Sequence, residues 1–157
     1  MAIEPFFSTF ADRMGRLLAI DYGKKRTGLA VTDPLQLIAG GLTTVATAEL
    51  MSFLQAYTQQ ENVERIIIGM PVTVNGTPSE NQARVRSFVR QLHKIMPHIP
   101  VIFYDERFTS VLAHQAMIMG GMKKKARQDK AKVDEISATI ILQSYMESIK
   151  YKPKESL

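Results

Sequence analysis

Three acidic side chains in this sequence occupy positions from which carboxylates can do chemistry. Asp21 ends the apolar run 16–21, and Glu106 follows the apolar run 100–104 after a single intervening residue. Asp134 falls in the first turn of a predicted apolar helix. Open α/β sheets place their ligands at the carboxyl ends of strands, so these three side chains could meet at one site.

Carboxylates brought this close together require compensating positive charge. At a separation of about 4 Å, each pair costs on the order of 4 kcal/mol at an effective dielectric constant near 20. Either protons are taken up, or oxygen-preferring ions such as Mg²⁺ or Mn²⁺ bind between the carboxylates. The chain has no cysteine, so thiolate ligands are excluded. Two such ions about 3.5 to 4 Å apart can activate water and stabilise the leaving oxygen in phosphodiester hydrolysis.

The pattern therefore predicts Asp21, Glu106 and Asp134 as metal ligands and catalytic residues of a nuclease. Spacing by itself leaves a structural alternative open. In that alternative Asp21 shapes a turn, Glu106 pairs with Arg107 and Asp134 caps a helix. The two interpretations differ in whether the three carboxylates converge.

Basic and polar residues near these acids are candidates for contact with phosphates. Six lysines and arginines lie between Lys123 and Lys132, opposed by a single aspartate. Such a cluster suits a polyanionic partner, and a solvated loop is the alternative interpretation. The residues predicted to bind substrate are Lys24, Arg26, Asn75, Arg107, Lys123, Lys124 and Lys125.

The composition is that of one globular domain with a basic surface. The chain has 157 residues, of which 45% are hydrophobic, and a formal net charge of +5. A chain of this length usually forms a single core. No apolar run approaches the roughly 18 to 20 residues that cross a bilayer, and the first residues lack the layout of a secretory signal. We therefore expect a cytoplasmic protein that does not enter a membrane.

The hydrophobic pattern predicts an α/β fold with a mixed sheet. Its order is three strands, helix, strand, helix, strand and two helices. The run 66–68 is apolar at every position, as expected for a central strand covered on both faces, and 100–104 is predicted as another buried strand. The strands are predicted at 16–21, 27–32, about 42–45, 66–68 and 100–104, and the helices from Thr47, from a capping box at 79–82, from Thr109 or Ser110 to Gly120, and over about 131–150.

The last predicted helix determines where Asp134 points. Asp134 shares a helical stripe with Ala138, Ile141 and Tyr145, so its carboxylate is expected to face the sheet. The apolar stripe predicted to pack in this helix is Val133, Ile136, Ile140, Ile141, Tyr145 and Ile149. The buried stripe predicted for the helix that starts at 79–82 is Val85, Phe88, Val89, Leu92 and Met96.

Four sequence blocks resemble the YqgF/RuvX family. They lie in family order and cover the chain from Arg16 to about Lys150. Ser137-Ala138 replaces the alanine pair usual in the family, a change of one small residue for another. The blocks are LAIDYGKKRTGLAVTD (18–33), IGMPVTVNGT (68–77), YDERFTS (104–110) and KVDEISA (132–138).

This resemblance implies a ribonuclease H-like fold, with a central five-stranded mixed sheet flanked by helices. It places the family's acidic residues on Asp21, Glu106 and Asp134. It also implies a nuclease that matures the 5′ end of pre-16S ribosomal RNA; members of the family were earlier described as Holliday junction resolvases. The implied layout is an extension at 1–15, a nuclease domain at 16–150 and a tail at 151–157.

Several functions remain open on the sequence. Branched DNA is an alternative substrate to ribosomal RNA precursor, since basic loops contact either backbone. A non-catalytic nucleic-acid-binding module is a third candidate. Asp21-x-Gly23 followed by Gly28 also resembles the phosphate loop of actin-like ATPases, although those need two such domains around a cleft. The expected assembly is a monomer or a homodimer.

Overall fold

The structure, a computed structural model, describes residues 15–71, 79–105 and 130–150. Five strands and three α-helices lie in these ranges. The predicted helix between Thr109 and Gly120 falls outside them. In chain order the elements are β1 (Arg16–Tyr22), β2 (Arg26–Thr32), β3 (Ala39–Ala46), a 3₁₀ turn (Thr47–Glu49), α1 (Leu50–Gln60), β4 (Val63–Met70), α2 (Glu80–Ile95), β5 (Val101–Asp105) and α3 (Lys130–Lys150).

The five strands form one mixed sheet in the order β3-β2-β1-β4-β5. β1, β4 and β5 run parallel, whereas β2 and β3 are antiparallel to their neighbours. Ile20 pairs with Ile68, and Ile68 pairs with Phe103. The carboxyl ends of the three parallel strands therefore lie along one edge of the sheet, as the sequence predicted for an α/β fold.

Helices cover both faces of the sheet, because side chains alternate along each strand. Leu18 and Ile20 of β1 pack towards α1 and α2. Leu17 and Ala19, on the opposite face, pack towards α3. Val85, Phe88, Val89 and Leu92 of the predicted α2 stripe are buried, and so is Gln82. Ala138, Ile141 and Tyr145 of α3 are also buried, as predicted.

The capping box predicted for α2 is wrong. Ser79 occupies the N-cap position, yet its side chain makes no capping hydrogen bond. Its hydroxyl instead donates to the carbonyl of Pro71, at 3.0 Å. This bond ties the start of α2 to the residue that follows β4.

Two predictions of burial also fail. β5 was predicted as a buried strand, but it lies at the end of the described sheet and Phe103 is 43% exposed. The guanidinium of Arg86 covers the Phe103 ring at 5.6 Å from its centroid. Ile149 is 38% exposed, because the part of α3 that packs on the sheet ends at Met146. Within the described ranges no helix has the length and hydropathy to span a bilayer.

Candidate active site

Asp21 lies next to the last residue of β1, at the carboxyl edge of the sheet. Leu17 and Ala19 face α3, so strand alternation directs the Asp21 side chain to the same face. In the antiparallel pair of β1 and β2, Asp21 lies opposite Gly28. The absence of a side chain at Gly28 leaves room on this face for the backbone of α3 to approach beside the carboxylate.

The backbone of α3 lies against the sheet at Gly28. A Cβ atom at this position would overlap the carbonyl oxygen of Asp134 and lie 2.9 Å from the amide nitrogen of Glu135. Only glycine allows this approach, so the second turn of α3 rests on β2 directly across from Asp21. The Thr44 hydroxyl, which donates to the carbonyl of Ala131 at 2.6 Å, fixes the start of the helix to β3.

The two aspartates interact electrostatically. The pKa of Asp21 is raised from 3.8 to about 7, mainly by burial and in addition by the negative charge of Asp134. Burial favours the neutral form of a carboxyl group, and a nearby like charge does so too. At neutral pH the site therefore favours either a proton on Asp21 or a cation beside it.

Arg26 neutralises part of this charge. Its Nε donates to Oδ2 of Asp134 at 3.0 Å, across 108 residues of sequence. The side chains are 40% and 24% exposed, so water and salt partly screen the pair. Arg26 was predicted to bind substrate, and in the structure its guanidinium lies on a predicted metal ligand.

The remaining predicted site residues fall into two groups. Lys24 is exposed in the turn between β1 and β2. β5 ends at Asp105, the residue immediately before Glu106. In the part of the chain that the structure describes, no three His, Asp or Glu side chains are grouped to hold a metal ion. The predicted site residues that lie outside the described ranges are Asn75, Glu106, Arg107, Lys123, Lys124 and Lys125.

The opposite face of the sheet carries residues that the sequence analysis did not assign to the site. Tyr22 follows Asp21 and points towards α2, where its ring lies 5.3 Å from that of Phe88. Asn81 Nδ2 donates to the Tyr22 carbonyl at 2.8 Å and so ties the first turn of α2 to the end of β1. Alternation along β1 was the available signal, because it sends consecutive residues to opposite faces.

The fold belongs to the ribonuclease H-like class. Thermus thermophilus RuvC in complex with Holliday junction substrate superimposes with a TM-score of 0.51. The match covers 84% of this chain and 96% of that chain, at 14% sequence identity. The predicted five-stranded mixed sheet flanked by helices is thus confirmed.

The family described as RuvX: Holliday junction resolvase matches residues 15–148, and the chain belongs to it. A protein of Phocaeicola vulgatus named "Putative pre-16S rRNA nuclease" is 66% identical over 138 residues, which are 88% of this chain and 99% of that protein. A Bacteroides fragilis protein of the same name is 61% identical over 135 residues, or 86% and 98% of the two chains. The resemblance to the YqgF/RuvX family is thereby confirmed.

Proposed function

We propose that this protein is a metal-dependent endonuclease that processes the 5′ end of pre-16S ribosomal RNA. One observation carries the proposal: a half-buried aspartate at the end of β1 interacts electrostatically with a second aspartate, whose backbone lies against Gly28. Membership of the RuvX family and the name borne by its close relatives support a nuclease acting on ribosomal RNA.

The donor set fits Mg²⁺ or Mn²⁺. Both ions prefer carboxylate oxygens, and Asp21 and Asp134 offer such oxygens at one place. β5 ends at Asp105 along the same edge of the sheet. Glu106 is the next residue in the sequence, and we propose it as the third ligand. Bound ions of this kind supply a water nucleophile and stabilise the leaving oxygen during hydrolysis.

The protein's own groups position the charges of this reaction. Asp21 is held by the pairing of β1 with β2, and Asp134 by the close contact of α3 with Gly28. Arg26 orients the Asp134 carboxylate through their hydrogen bond. Lys24 projects from the hairpin turn next to Asp21, where it is proposed to meet a substrate phosphate. The same role is proposed for Asn75, Arg107, Lys123, Lys124 and Lys125.

The proposed layout follows the extent of the family match. Residues 16–150 are taken as the nuclease domain, with an extension at 1–15 and a tail at 151–157, because the match runs from residue 15 to 148. The protein is proposed to act in the cytoplasm, where ribosomes assemble, as a monomer or a homodimer. Sedimentation of the purified protein distinguishes the two assemblies.

Cleavage of a 5′-extended 16S precursor transcript tests this function. Wild-type protein is expected to cut the transcript with Mg²⁺ or Mn²⁺ and to stop when EDTA is added. Asp21→Asn and Asp134→Asn are expected to lose at least about a hundredfold in rate, as is typical when a group that stabilises transition-state charge is removed. The proposal fails if a folded Asp21→Asn protein cuts as fast as wild type.

Branched DNA is a second candidate substrate, favoured by the description of the matching family as a Holliday junction resolvase. Junction DNA and precursor RNA are compared side by side at equal protein and metal concentrations. Faster turnover of the RNA supports the proposed function. Faster turnover of the junction would assign the same acidic residues to DNA.

A further inference from the structure

A cleft opens on the other side of β1 from the two aspartates. It has a volume of about 390 Å³. One wall is Tyr22, and the floor is a stripe of α2 with the helical spacing i, i+3, i+4 and i+7. The α2 residues that line it are Arg84, Ser87, Phe88 and Gln91, with Ala83 at the rim.

Arg84 makes this cleft electropositive. It is half-buried, whereas Arg86 and Arg90 on the same helix are exposed. Among the residues that the structure describes, no carboxylate forms an ion pair with Arg84; the cations paired there are Arg16, Arg26 and Arg65. A partly desolvated guanidinium that has no anionic partner within 15–71, 79–105 and 130–150 favours binding of an anion, and its planar fork suits a phosphate.

The other groups of the cleft suit the remaining parts of a nucleotide. Tyr22 is partly exposed, so its ring offers a surface on which a base can stack. Ser87 and Gln91 are exposed on α2 and carry hydrogen-bonding groups that suit sugar hydroxyls or base edges. A phosphate-binding cation, a stacking surface and neutral polar groups thus line one cleft.

The cleft is one residue away from the proposed catalytic centre. Asp21 and Tyr22 are consecutive, so their Cα atoms lie about 3.8 Å apart while their side chains leave opposite faces of the sheet. The hairpin turn beyond them carries Lys24 and Lys25, both exposed. An anionic strand that runs from the carboxylates to Arg84 would cross the end of β1 and pass close to these two lysines.

We propose that the Tyr22–Arg84 cleft binds a nucleotide of the substrate strand adjacent to the phosphate that is cut. Arg84 binds its phosphate, and Tyr22 stacks on its base. The proposal rests on the proposed function, since it names the place where the same RNA continues past the catalytic residues. The hydrogen bond from Asn81 on α2 to the Tyr22 carbonyl holds the two sides of the cleft together.

Binding of a fluorescein-labelled single-stranded RNA tests the cleft. The measurements use Asp21→Asn as the parent, so that the RNA is not consumed. Arg84→Met is expected to bind about tenfold more weakly, the loss typical of one charge-assisted hydrogen bond. The slope of log affinity against log salt concentration should become less steep, by the amount that about one phosphate contact contributes. Tyr22→Leu should also weaken binding about tenfold, whereas Tyr22→Phe, which keeps the ring, should bind as the parent does.

Arg90→Met is the matched control, because it removes an exposed arginine six residues further along α2, away from the stripe that lines the cleft. It is expected to leave affinity and salt slope near those of the parent. In the catalytically active protein, Arg84→Met should raise KM for precursor RNA while kcat stays near the wild-type value. Thermal unfolding of each variant verifies that it is folded.

The possible failures are distinguishable. If wild-type protein cuts RNA and Arg84→Met binds RNA as tightly as its parent, the cleft is not a nucleotide site and the proposed function stands. Equal weakening by Arg84→Met and Arg90→Met would mean nonspecific attraction, which also overturns the cleft. If wild-type protein cuts no RNA, the proposed function fails, and so does the proposal that the cleft binds a nucleotide of the RNA that is cut.

Discussion

Neutralising Asp21 is expected to stabilise the metal-free protein at neutral pH. The pKa of Asp21 is raised from 3.8 to about 7, mainly by burial and further by the charge of Asp134. The folded protein therefore holds a proton that the unfolded chain has lost, at every pH between these two values. The contribution of this group to stability is complete below about pH 4. It declines as pH rises and is fully lost once pH has passed through about 7.

The size of the effect follows from the same shift. Each pKa unit corresponds to 1.36 kcal/mol, so a rise from 3.8 to about 7 gives a penalty of roughly 4 kcal/mol above pH 7. Asp21→Asn removes this penalty. For a chain of this size, the change corresponds to an increase in Tm of about 10 °C at pH 8.

Urea unfolding of wild type and Asp21→Asn, in EDTA and from pH 4 to 8.5, measures the difference directly. The variant should match wild type near pH 4, become progressively more stable up to pH 7, and keep a constant advantage above it. Asp33→Asn is a control of opposite sign, because backbone N–H groups, led by that of Ile38, lower the pKa of Asp33. If the difference in the free energy of unfolding between Asp21→Asn and wild type does not change with pH, the pKa of Asp21 is not raised by folding.

Three further predictions concern the residues around the site. Gly28→Ala should cost about 2 kcal/mol in urea unfolding and slow cleavage by displacing Asp134, whereas Gly40→Ala, with open space around it, should do neither. Arg26→Gln should tighten Mn²⁺ binding several-fold in titration calorimetry by removing a competing cation, and Arg26→Lys should not. Tyr145→Phe, which loses the 2.8 Å hydrogen bond from Arg65, should cost about 1 to 2 kcal/mol in urea unfolding with cleavage unchanged.

Much of the fold could be predicted from hydrophobic spacing. The stripe of α2 and the apolar run of β4 report directly on burial, because each must be covered by other elements. The exposure of β5 could not be predicted, since its apolar sequence reads the same at the end of a sheet as at its centre. Ser79 likewise fits the capping-box pattern, but its hydroxyl reaches the Pro71 carbonyl, a partner that only the folded chain brings near.

The candidate site was predictable in its residue types but not in its contacts. The position of Asp21 after an apolar run and that of Asp134 in a helical stripe both indicated the site. Their proximity depends on Gly28, whose importance appears only when α3 lies against β2. The bond from Arg26 to Asp134 spans 108 residues and has no local signature. The roles of Glu106 and the lysines at 123–125 stay predictions.

Anomalous diffraction from crystals grown with Mn²⁺ tests the central claim most directly. We expect a manganese peak within about 2.1 Å of carboxylate oxygens from both Asp21 and Asp134, and loss of that peak in Asp21→Asn. Manganese bound elsewhere on the protein, with none between these two carboxylates, would contradict the claim that they form the catalytic centre.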